Sequence, residues 1–387
     1  MKKTLSIISI LVCLVFLSSC ANIKSLINSN TKEKTPSSTE NNTSNNTGEQ
    51  TPAPTPQNNN PDTIQTTSYT IKDFYPFKEN AMYNYEGEGN EYAAYTVYAD
   101  YINGDRVQLR KNNGGTEVVS VIENKNGELK IIFSREETYF RENFTSKPSN
   151  KDEILLKEPL VKGTSWTLAD GRKRYISNID VNITTPVGDF KALEITTEGS
   201  GFKILDYYGL NTGLIKSVYT ADGMEVTSTL KELKGNTPLS QNVNFYYPNS
   251  NVDKLYYIQK KLSFKTNDLT KMAFEKLFKE APSKSVAKLM GPNVKIKSLY
   301  LNGNVVYVDF TKEFITEMNA GSSYESLILQ GITNTLGGYY NVNKVYITVE
   351  DKPYESGHVI MKKGQTFTVN TKNIAELKWY YYMLGAE

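Results

Sequence analysis

The order of apolar and polar positions divides the chain into segments with different periods. Between Tyr69 and about Leu233, apolar side chains recur at every second position, as in the run Glu91–Tyr98. This period of two places alternate side chains on opposite faces of a strand. Asn126-Gly127 lies between two such runs and is the strongest short hairpin signal. The segment therefore predicts an all-β domain, an antiparallel curved sheet that forms a half-barrel or a sandwich.

The pattern changes after the polar break at 235–240. Two strand-like runs, 242–247 and 256–263, come first. A helix is predicted at 268–280, with Asn267 as its N-cap. Its apolar positions recur at steps of three and four, and they are Leu269, Met272, Ala273, Leu277 and Ala281. This spacing predicts an amphipathic helix that packs through that face.

A second hairpin and a second helix follow in the same segment. The hairpin is predicted to turn at Asn302-Gly303 in a type I′ turn. Ser322 and Glu325 have the spacing of a capping box, and Gly337-Gly338 predicts the end of the helix that they begin. A strand at 344–349 comes last. The predicted order is β-β-α-β-β-α-β, so the whole chain is expected to be multi-domain, with an α+β module after the β-rich domain.

The first residues have the pattern of an export signal. Lys2 and Lys3 precede an apolar stretch, Leu5–Leu17, that is too short to cross a bilayer. Ser18-Ser19 directly before Cys20 resembles the bacterial lipobox, in which the cysteine thiol receives a diacylglyceryl group and becomes the new N-terminus. The resemblance implies a protein that is lipid-anchored through Cys20 on the extracytoplasmic face of the cell membrane. The alternative is an ordinary secretory signal that contains a cysteine.

Composition sets the predicted domain boundaries. Asn, Thr, Ser, Pro and Gln dominate the segment after the signal, which cannot bury enough apolar surface to fold. We expect a disordered linker there. The predicted boundaries are 1–19 for the signal peptide, 20–68 for the linker, 69–235 for the β-rich domain, 241–370 for the α+β domain and 371–387 for a C-terminal tail. We expect residues 241–370 to fold alone.

Charge and cysteine content exclude several kinds of partner. The chain has 44 Lys and Arg against 42 Asp and Glu, a net charge of +2, and removal of Lys2 and Lys3 makes the mature chain neutral. A neutral chain lacks the positive charge with which proteins bind nucleic acid. The two cysteines are Cys13, in the signal, and Cys20, so no disulfide or cysteine-based metal site is expected. We expect no metal and no cofactor.

No arrangement of residues in the sequence is typical of a catalytic site. His358 is the single histidine, which excludes HExxH zinc sites and a Ser-His-Asp triad elsewhere. We interpret His358 as a structural residue in a turn, and Asp309 as a turn or cap residue. Two distant carboxylates that face each other across a cleft, as in a glycosidase, stay open from the sequence alone. We expect that the protein is not an enzyme.

Several stretches of the α+β module occur in an order found in a known family. Val243–Asn249 forms an opening strand, Ile296–Phe314 is the most specific stretch, and Glu325, Ile332–Leu336 and Gly357-His358-Val359 follow. Together they resemble the GerMN domain of sporulation and spore-germination lipoproteins. The resemblance implies an α+β fold and an envelope protein that works by contact.

The β-rich domain has a weaker resemblance of its own. Gly163–Trp166, Thr185–Phe190 and Tyr207–Lys216 resemble parts of a β-rich domain of bacterial lipoproteins. Two functions remain after these resemblances. The first is a non-enzymatic scaffold or assembly protein, with the membrane and other envelope or sporulation proteins as partners. The second is a carrier that holds lipid or another apolar ligand in the β-rich domain. A filled concave face of that sheet would favour the scaffold, and a large apolar groove would favour the carrier.

Overall fold

The computed structural model describes residues 69–378. The predicted signal, the lipid-attachment residue Cys20 and the linker lie outside the described residues, as do residues 379–387. None of the helices in the described part is long and apolar enough to span a bilayer. The described residues belong to one compact unit, and its two regions are taken in turn.

The first region contains a short helix and a twelve-stranded antiparallel sheet, as the alternating pattern predicts. The order across the sheet is β6-β5-β4-β3-β2-β1-β12-β11-β10-β9-β8-β7, so strands that are neighbours in sequence pair, except for β6 and β7 at the two edges, and β1 pairs with β12. The elements are α1 (Ile71–Phe74), β1 (Met82–Glu88), β2 (Tyr95–Asn103), β3 (Arg106–Asn112), β4 (Glu117–Lys125), β5 (Glu128–Arg135), β6 (Glu153–Lys157), β7 (Ser165–Thr167), β8 (Lys173–Thr185), β9 (Gly188–Gly199), β10 (Phe202–Gly209), β11 (Gly213–Ala221) and β12 (Met224–Lys234).

The sheet curls until its two outer strands, β6 and β7, approach each other. The indole N–H of Trp166 and the guanidinium of Arg174 both donate to the carbonyl of Ile154 on β6, at 3.1 and 2.7 Å. Side chains therefore join the two edges of the sheet. Val107 on β3 and Leu193 on β9 belong to one buried cluster, and only a concave face can bring these distant strands together. The predicted half-barrel is confirmed, and its core lies inside the curve.

The second region contains the predicted α+β elements in the predicted order, with short elements added. Its strands form two sheets, β13-β14-β20 and β15-β16-β17-β18, and β19 pairs with β17. The elements are β13 (Leu239–Pro248), β14 (Leu255–Phe264), α2 (Thr270–Phe278), β15 (Ile296–Asn302), β16 (Val305–Phe310), α3 (Glu313–Thr316), α4 (Ser322–Tyr340), β17 (Lys344–Val349), β18 (Lys352–Pro353), β19 (Phe367–Thr368) and β20 (Ile374–Glu376).

The hairpin of β15 and β16 turns one residue later than predicted. Asn302 pairs with Val305, so the two turn residues are Gly303 and Asn304. Of these two, Gly303 alone has a positive φ (59°). This excludes a type I′ turn and fits glycine at the first position of a type II′ turn. The hairpin is confirmed, and the predicted turn type is wrong.

Helix α2 starts two residues later than predicted and presents a different face. Asn267 is not its cap: with a positive φ of 70°, it accepts a hydrogen bond from the backbone N–H of Ile102 on β2, 2.9 Å away. Phe274 is fully buried, while two predicted core residues are largely exposed (Leu269, 54%; Met272, 51%). Phe274 is buried in place of Leu269 and Met272 because its aromatic ring has more apolar surface to remove from water.

Helix α4 continues beyond the glycines that were predicted to end it. The helix runs through Gly337-Gly338 to Tyr340, and Asn341 in the left-handed conformation (φ 53°) ends it. Gly337 is required by packing, because a Cβ atom there would lie 2.4 Å from the side chain of Val369. The predicted helix stop is wrong, since this glycine allows a close contact and not a turn.

A loop of the β-rich region fills the space between the two regions. Residues 136–152 connect β5 to β6, and they place Phe140 and Phe144 in the same buried cluster as Phe245 of β13. The ring of Phe140 lies 4.9 Å from the ring of Tyr340 at the end of α4. The two regions therefore share one continuous apolar core, a contact that the expected independent folding of residues 241–370 did not include.

Arg141 lies in this loop and is completely buried (0% exposed) between the two regions. On the β-rich side, its guanidinium donates to the hydroxyl of Tyr101 at 2.9 Å and to the carbonyl of Asp100 at 2.6 Å. On the α+β side, it donates to the carbonyls of Lys265, at 3.1 Å, and Asp268. One cation thus satisfies backbone acceptors from both regions.

Candidate functional site

The structure gives His358 a carboxylate partner that the sequence did not predict. His358 Nδ1 lies 2.7 Å from Oε2 of Glu325, on the first turn of α4. Glu325 does not form the predicted capping box with Ser322, because the N-cap of α4 is Gly321 and has no side-chain cap bond. The capping prediction is wrong. The two partners are 33 residues apart in sequence, so no local pattern indicated the pair.

The surroundings of Glu325 indicate a structural role for this pair. The carboxylate is 2% exposed and also accepts hydrogen bonds from the hydroxyls of Tyr354 (2.8 Å) and Ser356 (2.5 Å). Burial raises the pKa of Glu325, but the hydrogen bonds from Ser356, His358 and Tyr354 outweigh it and lower the pKa below its ordinary value. The Ser356 hydroxyl faces the carboxylate and not the imidazole, so a nucleophile–base pair is not formed. The group holds the loop after β18 against α4.

Asp309 stabilises a turn, as the sequence analysis proposed. Its carboxylate accepts hydrogen bonds from the hydroxyl of Thr348 at 2.6 Å and from the backbone N–H of Asp351 at 2.9 Å. Asp351 is the second residue of the two-residue turn between β17 and β18. Within residues 69–378, no group of three His, Cys, Asp or Glu side chains is arranged to hold a metal ion.

The outer edge of β15 is covered by side chains. The backbone N–H of Ile296 donates to Glu275 at 3.0 Å, and the carbonyl of Lys297 accepts from the ammonium of Lys271 at 2.7 Å. Further along, the N–H of Leu301 donates to Glu142, which belongs to the loop between β5 and β6, at 2.9 Å. Such capping prevents the edge from pairing with another strand.

The outer edge of β13 is open over a short stretch. The Tyr246 N–H points away from β14 and donates to Thr335 on α4 at 3.1 Å, and the carbonyl of Pro248 on the same side accepts from Ala287. Because backbone direction alternates along a strand, Asn244 and Asn242 point the same way. Within the described residues, their backbone groups have no partner on that side. A hollow of about 260 Å³, lined also by Tyr139, Gln241, Gly338 and Tyr339, adjoins this stretch.

The concave face of the twelve-stranded sheet is filled at one end and accessible at the other. Val107 and Leu193 at the filled end are 1% and 0% exposed. Towards the other end, Leu109 on β3 is half-buried, and so are Ile204 and Tyr219 on the opposite wall. We call this accessible part the open chamber, and its lining includes Tyr95, Leu109, Lys111, Ile204, Asp206 and Tyr219. The concave face is thus neither completely filled nor a continuous apolar groove.

Lys111 is a residue of this chamber that the sequence analysis missed. Its ammonium lies 3.7 Å from the ring centroid of Tyr95. Although the side chain is accessible to solvent, the surrounding walls bury its charge enough to lower the pKa of Lys111, an effect that Asp206 opposes. The sequence did contain a signal for this residue. Val107, Leu109 and Lys111 occupy alternate positions of one strand, so a charged side chain shares the face of two apolar ones.

Comparison with known proteins identifies the second region. The family model Germane, described as sporulation and spore germination, matches residues 244–355. A search of curated proteins finds no match. The chain is similar to a solved structure of the tandem GerMN domains of the sporulation protein GerM from Bacillus subtilis (19% identity, 35% of this chain and 48% of that chain, TM-score 0.27). It therefore spans about half the length of that structure.

Two further solved structures have similar scores. One is a protein from Clostridium perfringens described as a lipoprotein (16% identity, 34% of this chain and 87% of that chain, TM-score 0.23). The other is a protein from Bacteroides fragilis described as exported, with a YmcC-like fold (11% identity, 42% of this chain and 98% of that chain, TM-score 0.25). At these TM-scores, the assignment rests on the family match.

The family match agrees with the elements of the second region. Residues 244–355 begin within β13 and extend beyond β18, so they contain both long helices and the hairpin of β15 and β16. They also contain the stretch Ile296–Phe314, on which the sequence resemblance mainly depended. The chain therefore carries a Germane domain, of the family described as sporulation and spore germination, at residues 244–355.

Proposed function

We propose that this protein is a lipid-anchored envelope protein that acts in sporulation or spore germination by binding another protein, without catalysing a reaction. The Germane domain supports the process, and the lipobox-like sequence before Cys20 supports the anchor and the extracytoplasmic location. The observation that carries the mode of action is the open stretch of β13 at Asn242–Asn244.

An open strand edge is suited to binding an extended segment of a partner. Outward N–H and C=O groups can pair with such a segment, which then adds one strand to the sheet. The Asn242 and Asn244 backbones offer these groups, while the hollow beside Tyr139 and Tyr339 offers room for a side chain. Because the β15 edge is covered, the β13 stretch is the one of these two edges that remains available to a partner strand.

The shared core supports a scaffold role for the same contact. Arg141 connects the β-rich region to the Germane domain through acceptors on both sides. A partner bound at β13 would therefore be held at a fixed position relative to the whole unit. A rigid connection of this kind is what a spacer or assembly protein requires.

Proline at position 244 tests the proposal at a single backbone group. The Asn244 N–H faces away from β14, so Asn244→Pro removes an outward donor and preserves the pairing within the sheet. We expect a strain that carries this variant to lose the sporulation or germination phenotype of the native protein. The matched control is Asn244→Ala, which removes the side chain and retains the N–H.

Both variants are also compared with the native protein for thermal unfolding and for recovery in the membrane fraction. Loss of phenotype in Asn244→Pro alone, with folding and membrane attachment intact, supports binding through the edge. A normal phenotype in a folded, membrane-bound Asn244→Pro protein would refute it. Loss in both variants would assign the contact to the side chain and not to the strand edge.

A further inference from the structure

We propose that the open chamber of the β-rich region binds a single-chain amphiphile with an anionic head group, which Lys111 holds by charge. This site lies in a different region from the β13 edge, so refuting either proposal would leave the other unaffected. The inference depends on three features of the chamber: its apolar walls, its filled end and the partners of its charged groups.

The walls of the chamber have apolar surface that the protein leaves in contact with water. Val97, Leu109 and Val118 share the concave face on one side, and Ile204 and Val226 share it on the other. All five are half-buried, although a concave sheet face normally forms a closed core. Covering this surface with an acyl chain would remove it from water, which is favourable.

The filled end limits the length of chain that fits. Lys111 and Val107 are four residues apart on β3, a distance of roughly 13 Å at about 3.3 Å per residue. Val107 is 1% exposed, and Leu193 and Ile195 on β9 are 0% exposed, so the chamber stops there. A medium-length chain fits this depth, with its head at Lys111.

The charged groups of the region explain the preference for an anion. Arg110 is paired with Asp100 at 2.9 Å, and Arg174 is paired with Glu153 at 3.2 Å. Within residues 69–378, by contrast, the Lys111 ammonium has neither a close ion pair nor a hydrogen bond, and it lies over the ring of Tyr95.

The acidic group of the chamber forms its close hydrogen bond with a serine and not with Lys111. Asp206, on the opposite wall, accepts a hydrogen bond from the hydroxyl of Ser217 at 2.6 Å. The Lys111 ammonium at the accessible end of the apolar wall therefore has no close ion pair, although the charge of Asp206 acts on it from a longer distance. Carboxylate and phosphate head groups both provide the missing anion.

The test measures binding of defined probes to the chain from Ala21 to Glu387, which retains every described residue. Isothermal titration uses dodecanoate and a lyso-phosphatidylglycerol with a twelve-carbon chain, which represent the two sources of an anionic head. Dodecanol and dodecyltrimethylammonium have the same chain length and carry a neutral and a cationic head. We expect saturable binding of one or both anions at one site, at concentrations below micelle formation.

Variants then locate the head group. Lys111→Met should weaken anion binding by about tenfold or more, because a charge-assisted hydrogen bond is lost, and it should leave dodecanol binding unchanged. Lys111→Arg should restore most of the affinity. Lys203→Met is the matched control, because Lys203 is an exposed lysine on β10, and it should bind like the native chain.

Each outcome decides the proposal. If dodecanoate binds and the lysophospholipid does not, the ligand is a free fatty acid; the reverse result assigns a phospholipid. Equal binding of the anionic, neutral and cationic probes, or the same affinity in Lys111→Met and the native chain, would refute the role of Lys111. Absence of saturable binding for all four probes would refute the chamber as an amphiphile site.

Discussion

Replacement of Arg141 by methionine tests how the two regions are held together. Methionine has a similar unbranched stem, so Arg141→Met removes the guanidinium and leaves most of the packing volume. The guanidinium donates to the carbonyls of Asp100, Lys265 and Asp268 and to the hydroxyl of Tyr101. These acceptors lie between the β-rich region and the Germane domain, and Asp100 and Tyr101 are buried while the bonds to Lys265 and Asp268 are partly buried.

The expected loss follows from the acceptors that remain. A buried acceptor without its donor costs about 1–3 kcal/mol, and three carbonyls lose one donor each. Asp100 is not left as an unpaired charge, because Arg110 stays 2.9 Å from its carboxylate. The Tyr101 hydroxyl can turn to another acceptor. We therefore expect Arg141→Met to lower the free energy of unfolding by about 3–5 kcal/mol, within the range for breaking a buried charged network.

Urea unfolding of the chain from Ala21 to Glu387, followed by circular dichroism and by the fluorescence of its two tryptophans, Trp166 and Trp379, measures this loss. Arg172→Met is the matched control, since Arg172 pairs at 2.7 Å with the half-exposed Asp170 near the surface. That pair should contribute less than about 1 kcal/mol. If Arg141→Met cost no more than Arg172→Met, the shared network would not hold the two regions together.

Three further predictions concern the anchor, the buried carboxylate and the packing of α4. Cys20→Ala should leave unprocessed precursor or release the protein from the membrane fraction; a processed, membrane-bound variant would contradict the lipid anchor. The folded pKa of Glu325 lies below its unfolded value of about 4.3, so its stabilisation is complete above that pH and is lost as pH falls through the folded pKa. Glu325→Gln should therefore destabilise the protein at pH 7 more than at pH 3.5 in urea titrations, whereas His358→Ala should leave the biological phenotype unchanged. Gly331→Ala should lower the free energy of unfolding by about 1–3 kcal/mol, because its Cβ would lie 2.6 Å from a carbonyl oxygen of β13. Gly338→Ala should raise the free energy of unfolding by about 0.5–1 kcal/mol, because a Cβ atom at this helical position would meet nothing within 4 Å.

The sequence predicted those parts of the fold that depend on local periods. Alternation along the first region gave its strands, and the spacing of turn residues such as Asn126-Gly127 gave its hairpins, because both signals act over a few residues. The order of elements in the Germane domain followed for the same reason. Lys111 could also have been identified from the sequence, since it shares a face of β3 with the apolar residues Val107 and Leu109.

The errors arose where distant residues compete for a local group. Asn267 has the composition of a helix cap, but its side chain bonds a residue 165 positions away. Glu325 has the spacing of a capping box, but three hydroxyl and imidazole donors from the loop after β18 bind it instead. Gly337 has the composition of a helix stop, but Val369 lies where its Cβ would be. Such partners depend on tertiary packing, which local propensity does not contain.

The loop at 136–152 also has a consequence for how this protein can have diverged. Its side chains Phe140, Arg141 and Glu142 pack against or hydrogen-bond to the Germane domain. A Germane domain transplanted from another protein would therefore lack the residues that these side chains contact. Recombination at the short connection near Gly235 would leave that mismatch in place. Changes on the two sides are therefore expected to be inherited together, and a chimaera should recover stability only when the loop travels with the domain that it contacts.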